Sequence, residues 1–297
     1  MAERYSSIFR ADLFRGSVVL ITGGGTGIGR CTAHELAELG ATVVLAGRRR
    51  EILEATAAEI TGNGGSCDVA EINIRDESSV DAAVAGIVQR HGKIDGLFNN
   101  AGGQFVAPAA DMSPNGWRTV IDLNLTGTFL VSHAVYRHCM QANGGAIVSM
   151  LADIRTGYPG MAHSAAARAG IENLTKTLTL EWAEADIRVN CIAPGMILSS
   201  GMLTYPTDVQ ETSTRSIKQS PAGRPGTESE VSAAVAFLLS PAAAYVRGAT
   251  LHIDGGEGLQ KQERLLPFSH PSGIRAYNGF HLATDFSGTP LAEVAPD

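Results

Sequence analysis

The chain has 297 residues, 44% hydrophobic and 18% charged, with 34 glycines and a formal net charge of −7. That length fits one large α/β domain or two small ones, and an acidic balance without a basic tail or stripe argues against nucleic acid as a partner. No stretch approaches 18 uninterrupted apolar residues, so no membrane partner is expected, and neither end reads as a secretory, peroxisomal or retention signal. Cys31, Cys67, Cys139 and Cys191 are widely spaced without a C-x-x-C pair. Such cysteines fit small buried thiols in a reducing compartment, and the expected location is cytoplasmic.

In chain order, residues 1–13 read as a polar, loosely ordered start. A strand from Val18 to Thr22 meets a glycine cluster, and a helix then runs to Leu39, where Gly40 ends it. A strand from Thr42 to Ala46, a helix from Arg49 to Ile60 and a weak strand from Val69 to Ile74 follow. Asp76 is the expected N-cap of a helix from Glu77 to Arg90, and Leu97-Phe98 is a short strand. Ser113-Pro114 reads as N-cap and first position of one long helix reaching Gln141. Strands at Ala146–Ser149 and Arg188–Ala193 flank an alanine-rich helix from Ala162 to Ala185. Pro194 to Thr227 reads as a long irregular segment, with Met196 to Arg224 as a lid, before a helix from Glu228 to Leu239 and a strand from Ala249 to Ile253. This alternation predicts one α/β domain over residues 14–256, a doubly wound, Rossmann-like parallel sheet with helices on both faces. Residues 257–297, with Pro267, Pro271 and Pro290, show no periodicity and are expected to drape over a neighbour or a subunit partner.

The run Thr22-Gly23-Gly24-Gly25-Thr26-Gly27-Ile28-Gly29 joins the first strand to the first helix. Glycines there let backbone approach a pyrophosphate, and the helix N-terminus offers free N–H groups and a positive dipole end. At the end of the second strand an NAD site usually places an acid for the ribose 2′-hydroxyl. Here the chain reads Ala46-Gly47-Arg48-Arg49-Arg50, with no acid before Glu51. Guanidinium groups suit a 2′-phosphate, so Arg48 and Arg49 point to NADP(H), with NAD less favoured.

Three further pieces accompany the glycine turn: Asn99-Asn100-Ala101-Gly102, Asn124 within the long helix, and Ile192-Ala193-Pro194-Gly195. Together they resemble the short-chain dehydrogenase/reductase family over about residues 14–256. Within it the chain looks closest to the peroxisomal trans-2-enoyl-CoA reductase group, through Asn99 to Phe105, Asn124 to Phe129, His163 to Gly170 and Asn173 to Lys176. The resemblance implies cofactor contacts at Asn73-Ile74, Asn99, Ala101, Gly102, Asn124, Arg168, Pro194, Gly195 and Ile197. It also implies a homo-oligomer, a dimer or tetramer.

Most family members carry a Ser and a Tyr-x3-Lys set that supplies the proton. Aligning Ala169-Gly170 with that pattern puts Leu151, Ser164 and Arg168 at the three positions. Arg168 can hold a ribose and supply charge but cannot share a proton. Glu172-x3-Lys176 lies two helical turns, about 12 Å, further on, and Lys176 reads as an exposed helix residue. The candidates for proton transfer or oxyanion contact are therefore Asn124, Ser164, His163 beside it, and Tyr158 in the preceding loop, which is as readily a packed aromatic. Reduction of an enoyl thioester tolerates this set better than reduction of a ketone, because the enolate needs hydrogen-bond donors more than one strong acid. The expected substrate is a small molecule, a CoA thioester by first choice. The alternatives are an aliphatic alcohol or ketone, such as a terpenoid alcohol, or a degenerate NADP-binding protein without turnover. Arg215, Lys218 and Arg224 are lid cations within reach of a CoA phosphate. No metal site is expected.

Overall fold

The computed structural model describes residues 4–259 and 275–295. The first half alternates β1 (Val18–Thr22), α1 (Gly27–Glu38), β2 (Thr42–Gly47), α2 (Arg50–Gly62), β3 (Ser66–Glu71), α3 (Glu77–His91) and β4 (Gly96–Asn99). The second begins with α4 (Pro114–Ile121), α5 (Gly127–Val135) and the single turn α6 (Gln141–Asn143), and continues through β5 (Gly145–Met150), α7 (Ala162–Glu181) and β6 (Ile187–Pro194). A two-residue pair, β7 (Ile197–Leu198) with β8 (Gly226–Thr227), brackets α8 (Thr207–Gln219); α9 (Glu228–Leu239) and β9 (Thr250–Ile253) complete the fold.

Seven strands form one sheet in the order β3-β2-β1-β4-β5-β6-β9, every neighbour parallel. The pleat assigns side chains alternately to the two faces. Val19 and Ile21 of β1, with Val43 and Leu45 of β2, pack under α1 and α9 against Leu36, Val231 and Val235. Val18 and Leu20, with Val44 and Ala46, pack on the other face against Val80, Val84, Val131 and Trp182. Strands buried on both faces read as continuous apolar runs, which is why β1, β2 and β6 stand out in the sequence. The strand order reverses at β1, where Thr22 pairs with Ala46 on one side and Asn99 on the other. A crevice must open there, beyond the carboxyl ends of the strands.

Local signals were reliable where a side chain caps a helix. Asp76 accepts from the Ser78 and Ser79 N–H groups, and Ser113 accepts from the Gly116 N–H with Pro114 at the first helical position. Four expectations need correction. The long helix is not continuous: wide π turns at Asp122–Thr126 and Tyr136–Met140 interrupt it. β3 lies earlier than Val69–Ile74, because Thr42 to Gly47 pair with Ser66 to Glu71, and the Asp76 N–H then bonds the Asn73 carbonyl in a turn. The lid is not irregular, since it contains α8 and a 3-10 turn at Ser200–Thr204.

The tail is the fourth. Residues 275–295 lie on their own chain: Phe280 packs with Tyr5 and Cys31, and Phe286 and Leu291 pack with Leu198 and Met202 beneath the lid. Residues 5–7 and 277–280 meet at the first of these clusters. The Ser6 N–H donates to the Gly279 carbonyl at 2.9 Å, and the Tyr277 hydroxyl donates to the Ser6 carbonyl at 2.9 Å. Pro267 and Pro271, noted in the sequence, lie outside the described residues.

Cys31, Cys139 and Cys191 are buried free thiols and Cys67 is half-buried. Among the described residues no helix is long and apolar enough to cross a membrane.

Candidate active site

The crevice at the β1/β4 reversal is a cavity of about 960 Å³. One end is built by the glycine turn. Gly23 and Gly27 hold φ of +66° and +55°, a region that disfavours any side chain. A Cβ on Gly29 would collide with the Gly23 carbonyl and the Asn100 amide. Gly23, Gly25, Thr26, Gly27 and Ile28 line the cavity. Thr26 caps α1 without a side-chain hydrogen bond, and the first turn of α1 holds no acid, so its N–H groups are free for an anion. Arg48 and Arg49, exposed at the end of β2, also line it, and neither has an ion-pair partner among the described residues. Arg50 instead pairs with Glu54. Asn73 and Ile74 form the adjoining wall, with Ala101 and Gly102 beyond them. A free helix N-terminus, a turn that excludes side chains and unpaired guanidinium groups suit a phosphorylated dinucleotide.

The other end gathers chemistry. Arg168 is buried in α7, and its Nη1 donates to the Met150 carbonyl while its Nε has no partner. Burial pushes its guanidinium down to about 10, and among the described residues no carboxylate pairs with it. A Cβ on Gly102 would lie 2.7 Å from both Arg168 Nη2 and Asn124 Oδ1, so glycine is required where the loop crosses the cation. Tyr158, Gln104 and Tyr205 face the same space. Gln104 Nε2 donates to the Tyr205 hydroxyl at 2.8 Å and the Tyr158 hydroxyl at 3.4 Å, while the Ser164 hydroxyl donates to Gln104 Oε1 at 2.6 Å. Burial raises the Tyr158 phenol above its usual range, opposed by the Gln104 hydrogen bond and the Arg168 charge. Pro194, Gly195 and Ile197 close the wall beneath the lid.

Several expected contacts stand one layer back from the cavity, because each is spent on holding a loop. Thr22 Oγ1 accepts from the Asn100 and Ala101 N–H groups at 3.1 and 3.0 Å. Asn99 turns into the core, donating to Ser132 and Ser149. Asn100, named in the sequence only as part of its motif, donates to the Thr22 and Gly23 carbonyls and ties the glycine turn to β4. Asn124, in the first π turn, accepts from the Gly103 N–H at 2.9 Å and donates to the Gly103 carbonyl at 3.0 Å, which clamps the loop after β4. Gly29 is packed against the turn. Ser164 is buried behind Gln104, and His163 is buried edge-on against Phe105, with ring centroids 4.4 Å apart. Burial holds the His163 imidazole below its usual range, and neither residue lines the cavity.

Lys176 is exposed and pairs with Glu172. Of the lid cations, Arg224 is held by Glu230 at 2.6 Å, and the side chains of Arg215 and Lys218 lie outside the described residues. Asp153, His252 and Asp254 also converge, and the Arg155 guanidinium already sits on both carboxylates. Gln104 and Tyr205 are the site residues to which the sequence reading gave no role. Gln104 appeared there as part of a motif, and nothing in the lid's composition singles out Tyr205.

Residues 23–257 match a family model described as enoyl-(acyl carrier protein) reductase. A probable 2,4-dienoyl-CoA reductase of Bacillus subtilis (strain 168) is 40% identical over 244 residues, covering 81% of this chain and 96% of that protein. Among solved structures, a citronellol catabolism dehydrogenase (AtuB) of Pseudomonas aeruginosa PAO1 is 49% identical with a TM-score of 0.78, covering 86% of this chain and 100% of that one. A gluconate 5-dehydrogenase of Burkholderia cenocepacia J2315 in complex with NADP and tartrate is 34% identical with a TM-score of 0.78, covering 84% and 99%.

Proposed function

The chain belongs to the short-chain dehydrogenase/reductase family and is an oxidoreductase, and on that premise we propose that it uses NADP(H) to reduce a trans-2-enoyl thioester of coenzyme A. The observation that carries this reading is Arg168, a buried cation without a carboxylate partner among the described residues, facing a cavity also lined by Tyr158 and Gln104. The free N-terminus of α1 and the glycine turn would hold the pyrophosphate, and Arg48 and Arg49 the 2′-phosphate. Bound there, the cofactor supplies a hydride.

The protein's own part is electrostatic. Reduction of a conjugated thioester puts negative charge on the carbonyl oxygen, and a fixed, buried cation stabilises that charge more than bulk water would. Arg168 keeps its proton throughout, so it acts by charge and position. Asn124 and Ser164 act indirectly, by holding the Gly103 loop and Gln104. The names of the dienoyl-CoA reductases among its relatives support a thioester. The 49% identity to a citronellol catabolism dehydrogenase supports a second reading, oxidation of a terpenoid alcohol.

Both readings meet one assay. The purified protein is given NADPH or NADH with trans-2-hexenoyl-CoA and a 2,4-dienoyl-CoA, and NADP+ with citronellol. The expected result is oxidation of NADPH, strongly favoured over NADH, with a thioester. Turnover on citronellol alone would move the assignment to the alcohol, and tight NADPH binding without turnover on either would make the protein a binder.

A further inference from the structure

The proton half of the site carries an arrangement that neither the motifs nor the relatives' names describe. Two phenol oxygens, from separate segments, converge on one amide nitrogen. Tyr158 stands in the loop before α7, and Tyr205 stands in the lid between the 3-10 turn and α8. Gln104, in the loop after β4, donates to both through Nε2, at 3.4 and 2.8 Å. An amide nitrogen donates and cannot accept, so both tyrosine oxygens serve as acceptors toward Gln104. Each O–H is then left to point elsewhere, and both side chains line the cavity. The orientation of the amide is set from behind, where the buried Ser164 hydroxyl donates to Oε1 at 2.6 Å.

Tyr205 is also fixed from below. Its ring packs on the cluster of Leu198, Met202, Phe286 and Leu291, and its carbonyl accepts from Gln210 Nε2 at 2.9 Å. The tail therefore underlies the residue the lid brings to the site.

We propose that Tyr205 and Tyr158 form a two-hydroxyl cradle for the substrate's carbonyl oxygen, oriented by Gln104 and, behind it, Ser164. Tyr205 and Tyr158 are then catalytic residues, touching the oxygen on which charge develops; Gln104 and Ser164 are positioning residues. Toward a thioester the hydroxyls donate hydrogen bonds and need transfer no proton at this oxygen, because the enolate takes its proton at the α-carbon from solvent; toward an aldehyde one phenol passes its proton to the alkoxide and is reprotonated from solvent. This assigns Ser164, at the family's tyrosine position, a task that a serine can perform. The proposal rests on the oxidoreductase reading and holds for a thioester or an aldehyde, both of which present a carbonyl oxygen.

The test is vibrational. Hexanoyl-CoA labelled with 13C at the thioester carbonyl, and citronellal labelled at its aldehyde carbon, are each bound to the full-length protein with NADP+, and the labelled C=O band is followed by infrared difference spectroscopy. The wild type is expected to shift the band of its preferred probe to lower frequency. Tyr205→Phe and Tyr158→Phe should each lose part of the shift, with kcat down about 10²-fold and probe affinity little changed. Gln104→Glu should lose most of it, because a carboxylate accepts both phenolic protons and turns them out of the cavity; a purely structural amide would leave the band unmoved. Retention of the full shift and of kcat in Tyr205→Phe, or in Gln104→Glu, overturns the proposal. An unshifted band on a tightly bound probe in the wild type overturns it while leaving the oxidoreductase reading intact. Binding of neither probe overturns the cradle and both substrate readings together.

Discussion

Arg168 and Arg188 are both buried, and neither forms an ion pair among the described residues, yet they have opposite meanings. Arg188, on β6, donates to four main-chain carbonyls, those of Leu238, Leu239, Ser240 and Ala243. These are the carbonyls at and beyond the C-terminus of α9, where unsatisfied acceptors and the negative end of the helix dipole gather. Its charge is consumed by the fold. Arg168 has one donated bond, to Met150, an unpartnered Nε and a cavity in front of it. Its charge is held in reserve. On the function proposed above, burial alone does not mark the working cation; the number of acceptors already around it does.

Replacing each arginine by an isosteric apolar residue separates the two. Arg168→Met should lower kcat/KM about 10³-fold while the melting temperature holds or rises, since it removes a buried charge that was never fully paired. Arg188→Met should do the reverse: about 3 kcal/mol of unfolding free energy lost, because four carbonyls lose their donor, with activity per folded molecule retained. Urea unfolding and steady-state kinetics on both variants decide it, and the comparison breaks if the Arg168 variant is the one that unfolds early.

Glu228 extends the comparison to a carboxyl. It is buried at the start of α9 with Oε1 unpartnered, and burial raises it from 4.5 to about 7, the Arg30 charge and the Ser200 N–H opposing. A carboxyl raised in the folded state binds its proton more tightly there, so its contribution to stability is complete below about pH 4.5 and is lost as pH rises through 7. The loss should reach about 3 kcal/mol by pH 8, and Glu228→Gln should flatten that part of the pH–stability curve. An unaltered curve would remove Glu228 as its source. The smallest effect is expected at Lys176, exposed and paired with Glu172. Lys176→Ala should shift stability by no more than about 0.5 kcal/mol and leave turnover unchanged, which also checks that the distant Glu172-x3-Lys176 spacing is not the catalytic set.

How much of this was legible in the residues follows their range of action. Asp76, Ser113-Pro114 and Gly40 act within a turn of where they stand, so α3, α4 and the end of α1 could be read directly. The glycine turn was legible because close backbone approach demands glycine, and the place of Arg48 and Arg49 beside the cavity because they directly follow the strand that carries them there. α8 was not: Thr207 to Gln219 is rich in Thr, Ser and charge, and it packs against the distant tail, with Thr214 donating to the Pro290 carbonyl at 3.3 Å. Nor were the π turns, which no residue type encodes alone. Asn124 and Ser164 were picked out for direct contact because motif position does not say which way a side chain turns. Gln104 and Tyr205 meet across 101 residues of sequence, beyond any local signal.

The seam between residues 5–7 and 277–280 has a consequence in time. Glu35 and Cys31 sit on the face of α1 that this seam covers, with Glu35 accepting from the Tyr5 and Ser7 hydroxyls and Phe280 closing over Cys31. The Ser6–Tyr277 bond joins residues 271 positions apart. Contacts of such separation are made late, and on a ribosome they must wait for the distal segment to emerge. The helix that follows the glycine turn, synthesised long before the segment that covers it, is thus among the last to be sealed. Throughout synthesis, its half-covered face is what a chaperone or a protease would meet.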